Sequence, residues 1–251
     1  MITLTDYHTH TVYSDGKNTP EEIILSAIDK NLLQIGISDH SYTFFDTSYC
    51  IKQNKIEEYK KEILNLKQKY KNKINVLLGI EQDYYSTESV QGYDYVIGSV
   101  HYVKVENEYI PVDENVNIIL DAVKKYFNNN VYDFIELYFK TVSNVIKKTN
   151  ADIIGHFDLI SKFNETTPFF DENDSRYVSA WQQAVLNLLK YNKPFEINTG
   201  AIARGYKANP YPSKQIIDFI LNNGGKFVLS SDSHSNKNVG FKFLNYINLV
   251  K

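Results

Sequence analysis

One cysteine, one methionine, one tryptophan and two arginines are all that the 251 residues contain of these four types. The single thiol, Cys50, excludes an internal disulfide and a thiolate metal cluster, and no Cys-x5-Arg loop surrounds it that would suit a covalent-cysteine phosphatase. No apolar run approaches the length needed to cross a bilayer, and Met1 is not followed by a basic flank and an apolar stretch, so a cytoplasmic location is the expectation, without membrane contact. A net charge of -3 offers no strongly basic face. Nucleic acid is therefore not the expected partner, and a small substrate fits better. Arg176 and Arg204 stand against 25 lysines, in a chain rich in Asn, Ile and Tyr. That skew reflects base composition, but it makes each arginine conspicuous.

What is present is ordinary for a globular chain: 43% hydrophobic and 23% charged residues. The length suits one α/β barrel, so residues 1–251 are expected to form a single domain. Short β-branched or apolar runs alternate with stretches of helical periodicity, which predicts a parallel sheet covered by helices. Seven strands are expected, over residues 3–8, 33–38, 74–81, 93–100, 152–156, 194–198 and 226–231. Helices are expected over 19–31, 52–70, 115–128, 131–150, 174–191 and 212–223. The first of these has Thr19 as N-cap, Pro20 as first helical residue and Glu22 closing a capping box. Residues 103–112 read as an irregular excursion and 164–173 as a loop. Seven strand–helix units imply a closed or nearly closed barrel related to the TIM barrel, whose reactive groups gather at the C-terminal ends of the strands.

The histidines follow that rule. His8, His10, His40, His101, His156 and His234 all fall at or just past an expected strand end, and none lies in an expected helix. His8 and His10 are two residues apart, which in an extended segment turns both imidazoles to one side. Asp15, in Asp15-Gly16, lies on a turn that can fold its carboxylate back over the same place. Further strand ends read Ser38-Asp39-His40, Gly79-Ile80-Glu81, Ser99-Val100-His101, Gly155-His156-Phe157-Asp158 and Asp232-Ser233-His234. Each of these, taken alone, is a polar strand end meeting solvent. Glu81 closes a run as apolar as Val76-Leu77-Leu78-Gly79-Ile80, where a buried carboxylate is costly without a compensating cation.

Together, His8, His10, Asp15, His40, Glu81, His101, His156, Asp232 and His234 exceed what one ion with open positions can use. They imply two or three ions. Imidazole mixed with carboxylate suits Zn, Mn or Fe better than Ca or Mg. No Asp-x-Asp nucleophile occurs, and Gly224-Gly225-Lys226 lacks the spacing of a phosphate-binding loop.

This ordered series resembles the PHP (polymerase and histidinol phosphatase) family, and most of all its stand-alone histidinol-phosphate phosphatases, over essentially the whole chain. The resemblance implies a distorted (β/α)7 barrel with a trinuclear site. It implies one ion held by His8, His10, Glu81 and Asp232, a second by Glu81, His101 and His156, and a third by Asp15, His40 and His234. It also implies that Arg204, after the sixth strand, binds phosphate. The family tends to show a further arginine shortly after the Gly-His-x-Asp segment, whereas this chain has Lys162, a point charge in place of a fork.

The activity implied is hydrolysis of L-histidinol phosphate to L-histidinol and inorganic phosphate, in histidine biosynthesis. Asp158, Asp232 and His234 are the candidates for catalytic roles, and Asp158, a metal-bound water and a histidine not fully engaged are the open alternatives for protonating the leaving alkoxide. A metal-dependent nuclease or nucleoside monophosphate phosphatase of related architecture is the alternative. An amidohydrolase ranks below these, since it would want a lysine or equivalent bridging group at a central strand end. A noncatalytic metal-binding module is the reading from a different class.

Overall fold

The computed structural model describes residues 4–250. Strands β1 (Thr5–Asp6), β2 (Gln34–Ile37), β3 (Asn75–Asp83) and β4 (Tyr95–Ser99) are followed by a hairpin of β5 (Tyr102–Val105) and β6 (Glu108–Pro111), then by β7 (Ile153–Ile154), β8 (Phe195–Asn198) and β9 (Phe227–Ser230). Seven of these form one parallel sheet in the order β1-β2-β3-β4-β7-β8-β9. Beyond the last strand the chain returns to the first: Thr9 and Ser233 form a parallel bridge, and His10 N–H donates to Ser233 O at 2.8 Å. The result is the nearly closed seven-stranded barrel expected from the alternation. Among the described residues no helix is long and apolar enough to cross a membrane.

Helices α1 (Pro20–Asp29), α2 (Ile56–Tyr70), α3 (Val116–Tyr126), α4 (Val131–Val142), α5 (Val145–Thr149), α6 (Ser175–Leu189), α7 (Gly200–Ala203) and α8 (Lys214–Asn222) lie along the connections. α1 begins with the capping box read from the sequence, Thr19 and Glu22 serving each other's backbone N–H. α2 buries Tyr59, Ile63, Leu66 and Tyr70 along one stripe. The Tyr59 hydroxyl is 2.9 Å from both Ile37 O and Gly79 O, which ties the helix to two adjacent strands.

Several boundaries differ from expectation for local reasons. Thr3, in the first expected strand, lies outside the described residues. The ordered ladders of β1 and β7 are only two residues long, because the chain leaves the sheet to carry His8 and His156 into the interior. Residues 103–112 are not irregular but build the β5–β6 hairpin, turned by Glu106 in the left-handed region (φ 52°). The helix expected over 131–150 breaks between α4 and α5. There Ser143 Oγ and Asn144 Nδ2 both donate to Lys140 O at 2.8 Å, taking a carbonyl that the helix would use.

The barrel interior is filled by side chains. Tyr95, on β4 and 6% exposed, lies across β3 and β2 and donates its hydroxyl to Tyr7 O. Gly36 and Gly79 make room for it: a Cβ on Gly79 would stand 2.3 Å from Tyr95 Cζ, and one on Gly36 2.0 Å from the hydroxyl. Gly79→Ala is therefore expected to destabilise the fold by about 1–3 kcal/mol, read as a lower urea midpoint at unchanged slope. A midpoint equal to the parent's would show that the interior is not packed in this way.

Candidate metal centre

Glu81 is the hub. It lies inside β3, which runs two residues further than the sequence suggests, and its side chain is fully buried. Its Oε2 is 3.2 Å from His8 Nε2, 3.6 Å from His10 Nε2 and 2.7 Å from His40 Nδ1. Its Oε1 is 3.3 Å from His101 Nε2 and 2.9 Å from His156 Nε2. Five imidazoles thus converge on one carboxylate. Burial pushes the Glu81 carboxyl up, but the imidazoles of His8, His40 and His101 outweigh it and hold the group well below the usual range.

The remaining candidates extend the cluster toward solvent. Asp232 Oδ1 is 3.3 Å from His10 Nε2 and 4.0 Å from His8 Nε2. Asp15 faces His40 Nε2 at 3.6 Å and His234 Nε2 at 3.2 Å. The turn that brings Asp15 there is pinned by Asp39, which accepts from Thr11 N–H at 2.7 Å, from the Thr11 hydroxyl at 2.8 Å and from Ser14. Gly16 is required in it, since a Cβ would lie 2.4 Å from the His10 backbone. Donor atoms come within 4.8 Å of one another in three groups: His8, His10 and Asp232; His40, Glu81 and His101; and His10, Asp15, His40 and His234. His156 stands against Glu81 but outside these groups, and His40 lies between Asp15 and Glu81.

The chemistry of these donors fits metal ions. His8 Nε2, both ring nitrogens of His10, Glu81 Oε2 and His156 Nδ1 are buried without a hydrogen-bond partner. Leaving such atoms unsatisfied costs about 1–3 kcal/mol each. His8 makes the conflict explicit: its Nδ1 is 2.7 Å from Glu196 Oε1 and donates to it, so in the neutral ring the Nε2 lone pair faces the Glu81 carboxylate. A cation between them removes the conflict.

Arg204 caps α7, a short helix that the sequence did not predict. Its Nη2 donates to Asp232 Oδ2 at 2.9 Å and its Nη1 to Asp232 O at 3.0 Å, while Nη1 is also 3.0 Å from His234 Nδ1. Asp232 itself is in the left-handed region (φ 49°), a conformation that costs an L residue roughly 1–2 kcal/mol, and Arg204 grips it at both ends. A cavity of about 310 Å³ opens beside the cluster, with Arg204, Lys162, Asp46, Tyr49, Asp113 and Glu114 in its wall. Lys162 Nζ donates to Asp113 O at 2.5 Å, is 3.3 Å from its carboxylate, and lies over the Tyr206 ring.

Asp158 is not brought to this cavity. After His156 the chain turns into a short 3-10 segment, Leu159–Ser161, which carries Asp158 into the protein, where its Oδ2 accepts from Ser213 N–H at 3.0 Å. Burial pushes its carboxyl up to about 6, against the nearby charge of Lys207.

Residues missed in the sequence include Glu196 and Asp83. Glu196 is 1% exposed and contacts His8 and the backbone of His156. Asp83 Oδ2 is 3.3 Å from both His101 Nδ1 and His101 N. For Glu196 the signal exists: it is an acid in an apolar strand, Phe195-Glu196-Ile197, as Glu81 is. The acidic residues of the cavity wall, Asp46 and the adjacent pair Asp113 and Glu114, come from two loops and carry no motif.

Comparison with known proteins agrees with this geometry. The model of the PHP domain matches residues 6–200. A protein of Schizosaccharomyces pombe, named as a probable histidinol-phosphatase, is 33% identical over 197 residues, covering 74% of this chain but only 62% of its own length. One of Deinococcus radiodurans with the same name is 27% identical over 262 residues, covering 100% of this chain and 94% of itself. Among solved structures, histidinol phosphate phosphatase from Lactococcus lactis, complexed with Zn, L-histidinol and phosphate, superposes with a TM-score of 0.75 at 20% identity, over 100% of this chain and 93% of that one. With a barrel of this topology and its histidines and carboxylates gathered at one mouth, the chain belongs to the PHP domain family.

Proposed function

We propose that the whole chain acts as one metal-dependent phosphatase domain that hydrolyses L-histidinol phosphate to L-histidinol and inorganic phosphate. The observation that carries this reading is the adjacency of two chemistries: a buried cluster of unpaired imidazole and carboxylate donors, and a cavity beside it whose wall combines Arg204 with acidic groups. The names of the S. pombe and D. radiodurans relatives, and the zinc, histidinol and phosphate of the L. lactis structure, support the substrate. A cytoplasmic location belongs to the same reading, in keeping with the free, buried thiol of Cys50.

His8, His10, Asp15, His40, Glu81, His101, His156, Asp232 and His234 would hold two or three divalent ions, Zn, Mn or Fe. Such ions, when bound, supply Lewis acidity toward phosphoryl oxygens and lower the pKa of water. The protein's own groups do the rest. Arg204 reaches the cavity with its guanidinium already oriented by Asp232, so its donors are fixed in direction before a phosphate arrives. Lys162 adds a positive charge on the same wall. Asp232 orients Arg204 and faces His10, and His234 stands between Arg204 and Asp15, at the boundary of cluster and cavity. Asp158 has no part in this proposal, since it faces Ser213.

The acidic wall supports the small cationic substrate over the nucleic acid. Burial pushes the Asp113 carboxyl up, but Lys162 and the nearby imidazoles bring it below its usual value. For Asp46, burial is outweighed by hydrogen bonds from Ser48 and Tyr102. Both are therefore ionised at neutral pH. Beside Tyr49 and Tyr102, these carboxylates suit a cationic body carrying one phosphate. They oppose the polyanionic backbone of a nucleic acid.

Metal-loaded protein should hydrolyse histidinol phosphate far faster than a nucleoside monophosphate or single-stranded DNA. Preference for DNA in a side-by-side phosphate-release assay would overturn the reading. Arg204→Ala should lower kcat/KM roughly ten- to hundredfold, the worth of a charge-assisted contact of about 1.5–3 kcal/mol. Arg204→Lys should recover only part of the loss, because an ammonium cannot hold phosphate and Asp232 with one planar fork. Kinetics equal to the parent's would remove Arg204 from the site.

A further inference from the structure

One carboxylate outside the ligand set serves two ligand-bearing strands. Glu196 and Asn198 share the inward face of β8, and both are buried. Glu196 Oε1 accepts from His8 Nδ1 at 2.7 Å. Its Oε2 accepts from the backbone N–H of His156 at 2.9 Å and from Asn198 Nδ2 at 3.1 Å. Every one of these contacts is between buried groups, so no solvent competes for them. Because a carboxylate only accepts, the contact with Oε1 places a proton on His8 Nδ1 and aims Nε2 at Glu81 Oε2, 3.2 Å away. The contact with Oε2 fixes the backbone where the chain leaves β7 to present His156, whose Nε2 is 2.9 Å from Glu81 Oε1.

Other imidazoles are held less completely. Of the histidines Asp83 contacts only His101, at 3.3 Å, its other oxygen accepting from Tyr85 N–H, and His10 has no hydrogen-bond partner on either ring nitrogen. Glu196 therefore stands apart in touching two residues that face opposite oxygens of the Glu81 carboxylate. A partner of this kind fixes a histidine's tautomer and ring plane and raises its strength as a ligand.

We propose that Glu196 is a positioning residue for the metal centre, setting the ring of His8 and the backbone of His156 together so that both face Glu81. The proposal rests on the reading of this cluster as a metal centre. Glu196→Gln is the discriminating change, because its amide has one accepting oxygen where the carboxylate has two, and it sets an NH2 group either against His8 Nδ1 or against the His156 N–H and Asn198 Nδ2. With zinc-loaded protein and a chelator of known affinity, the variant should release zinc at roughly ten- to hundredfold lower chelator activity than the parent. Its circular dichroism should match the parent's, and excess zinc should restore turnover.

A purely structural role for Glu196 predicts instead a lower unfolding midpoint of the zinc-free variant with chelator curves that superpose on the parent's, and that result overturns the proposal. The parent alone provides a second measurement, needed if the variant does not fold. Long-range 1H–15N spectra of the zinc-loaded parent should show His8 protonated on Nδ1 and ligating through Nε2, and a proton on Nε2 would also overturn it. A parent that takes up no zinc at all removes the metal-centre reading, and Glu196's role with it, whereas a loaded parent with an unaffected variant removes only the latter.

Discussion

A carboxylate buried at zero exposure in the middle of five imidazoles is the constraint on which the rest of this molecule depends. An ionised carboxylate in such a place costs several kcal/mol unless charge is supplied around it. The chain supplies it from four strand ends, those of β1, β2, β4 and β7, and uses the barrel to hold those ends in register. Glu81 sits on the longest strand, flanked by the backbone bonds Glu81 N–H to Asp39 O at 3.1 Å and Ser41 N–H to Glu81 O at 2.9 Å. The histidines are arranged about it.

A second layer keeps those histidines facing inward. Asp39 pins the turn that brings Asp15 over the cluster, Glu196 holds His8 and the chain at His156, and Asp83 holds His101. Arg204 clamps Asp232 in a backbone conformation that it would not otherwise favour. The same arginine lines the cavity, so one side chain both fixes Asp232 and faces the open space beside the cluster. Electrostatic preorganisation of this kind fixes the direction of the guanidinium in advance of any ligand.

How much of this was legible in the sequence depends on whether a residue's signal is local. The seven parallel strands were, because alternation of apolar runs with helical periodicity is a property of neighbouring residues. Glu81 was, because an acid ending an apolar strand has no cheap explanation. Glu196 gives the same signal, yet it does not end its strand and no histidine is near it in sequence. Its partner His8 lies 188 residues away, and only barrel closure reveals the pair. The β5–β6 hairpin was missed because it turns at Glu106-Asn107, without Gly or Pro. Asp158 misled in the opposite way. Two residues from His156 in sequence, it is carried off by the 3-10 turn that follows, so proximity along the chain gave a false neighbour.

The central claim is that Glu81 is buried as a carboxylate because cations share it with the surrounding imidazoles. Metal content per chain, measured by plasma mass spectrometry on parent and Glu81→Gln after identical reconstitution and removal of free metal, tests this most directly. The amide keeps the shape and removes the charge. The parent should retain at least two ions, in line with the overlapping donor groups, and the variant should lose one or more of them while its circular dichroism stays the same. Equal metal content in the two proteins, or a parent that retains less than one ion per chain, would contradict the account.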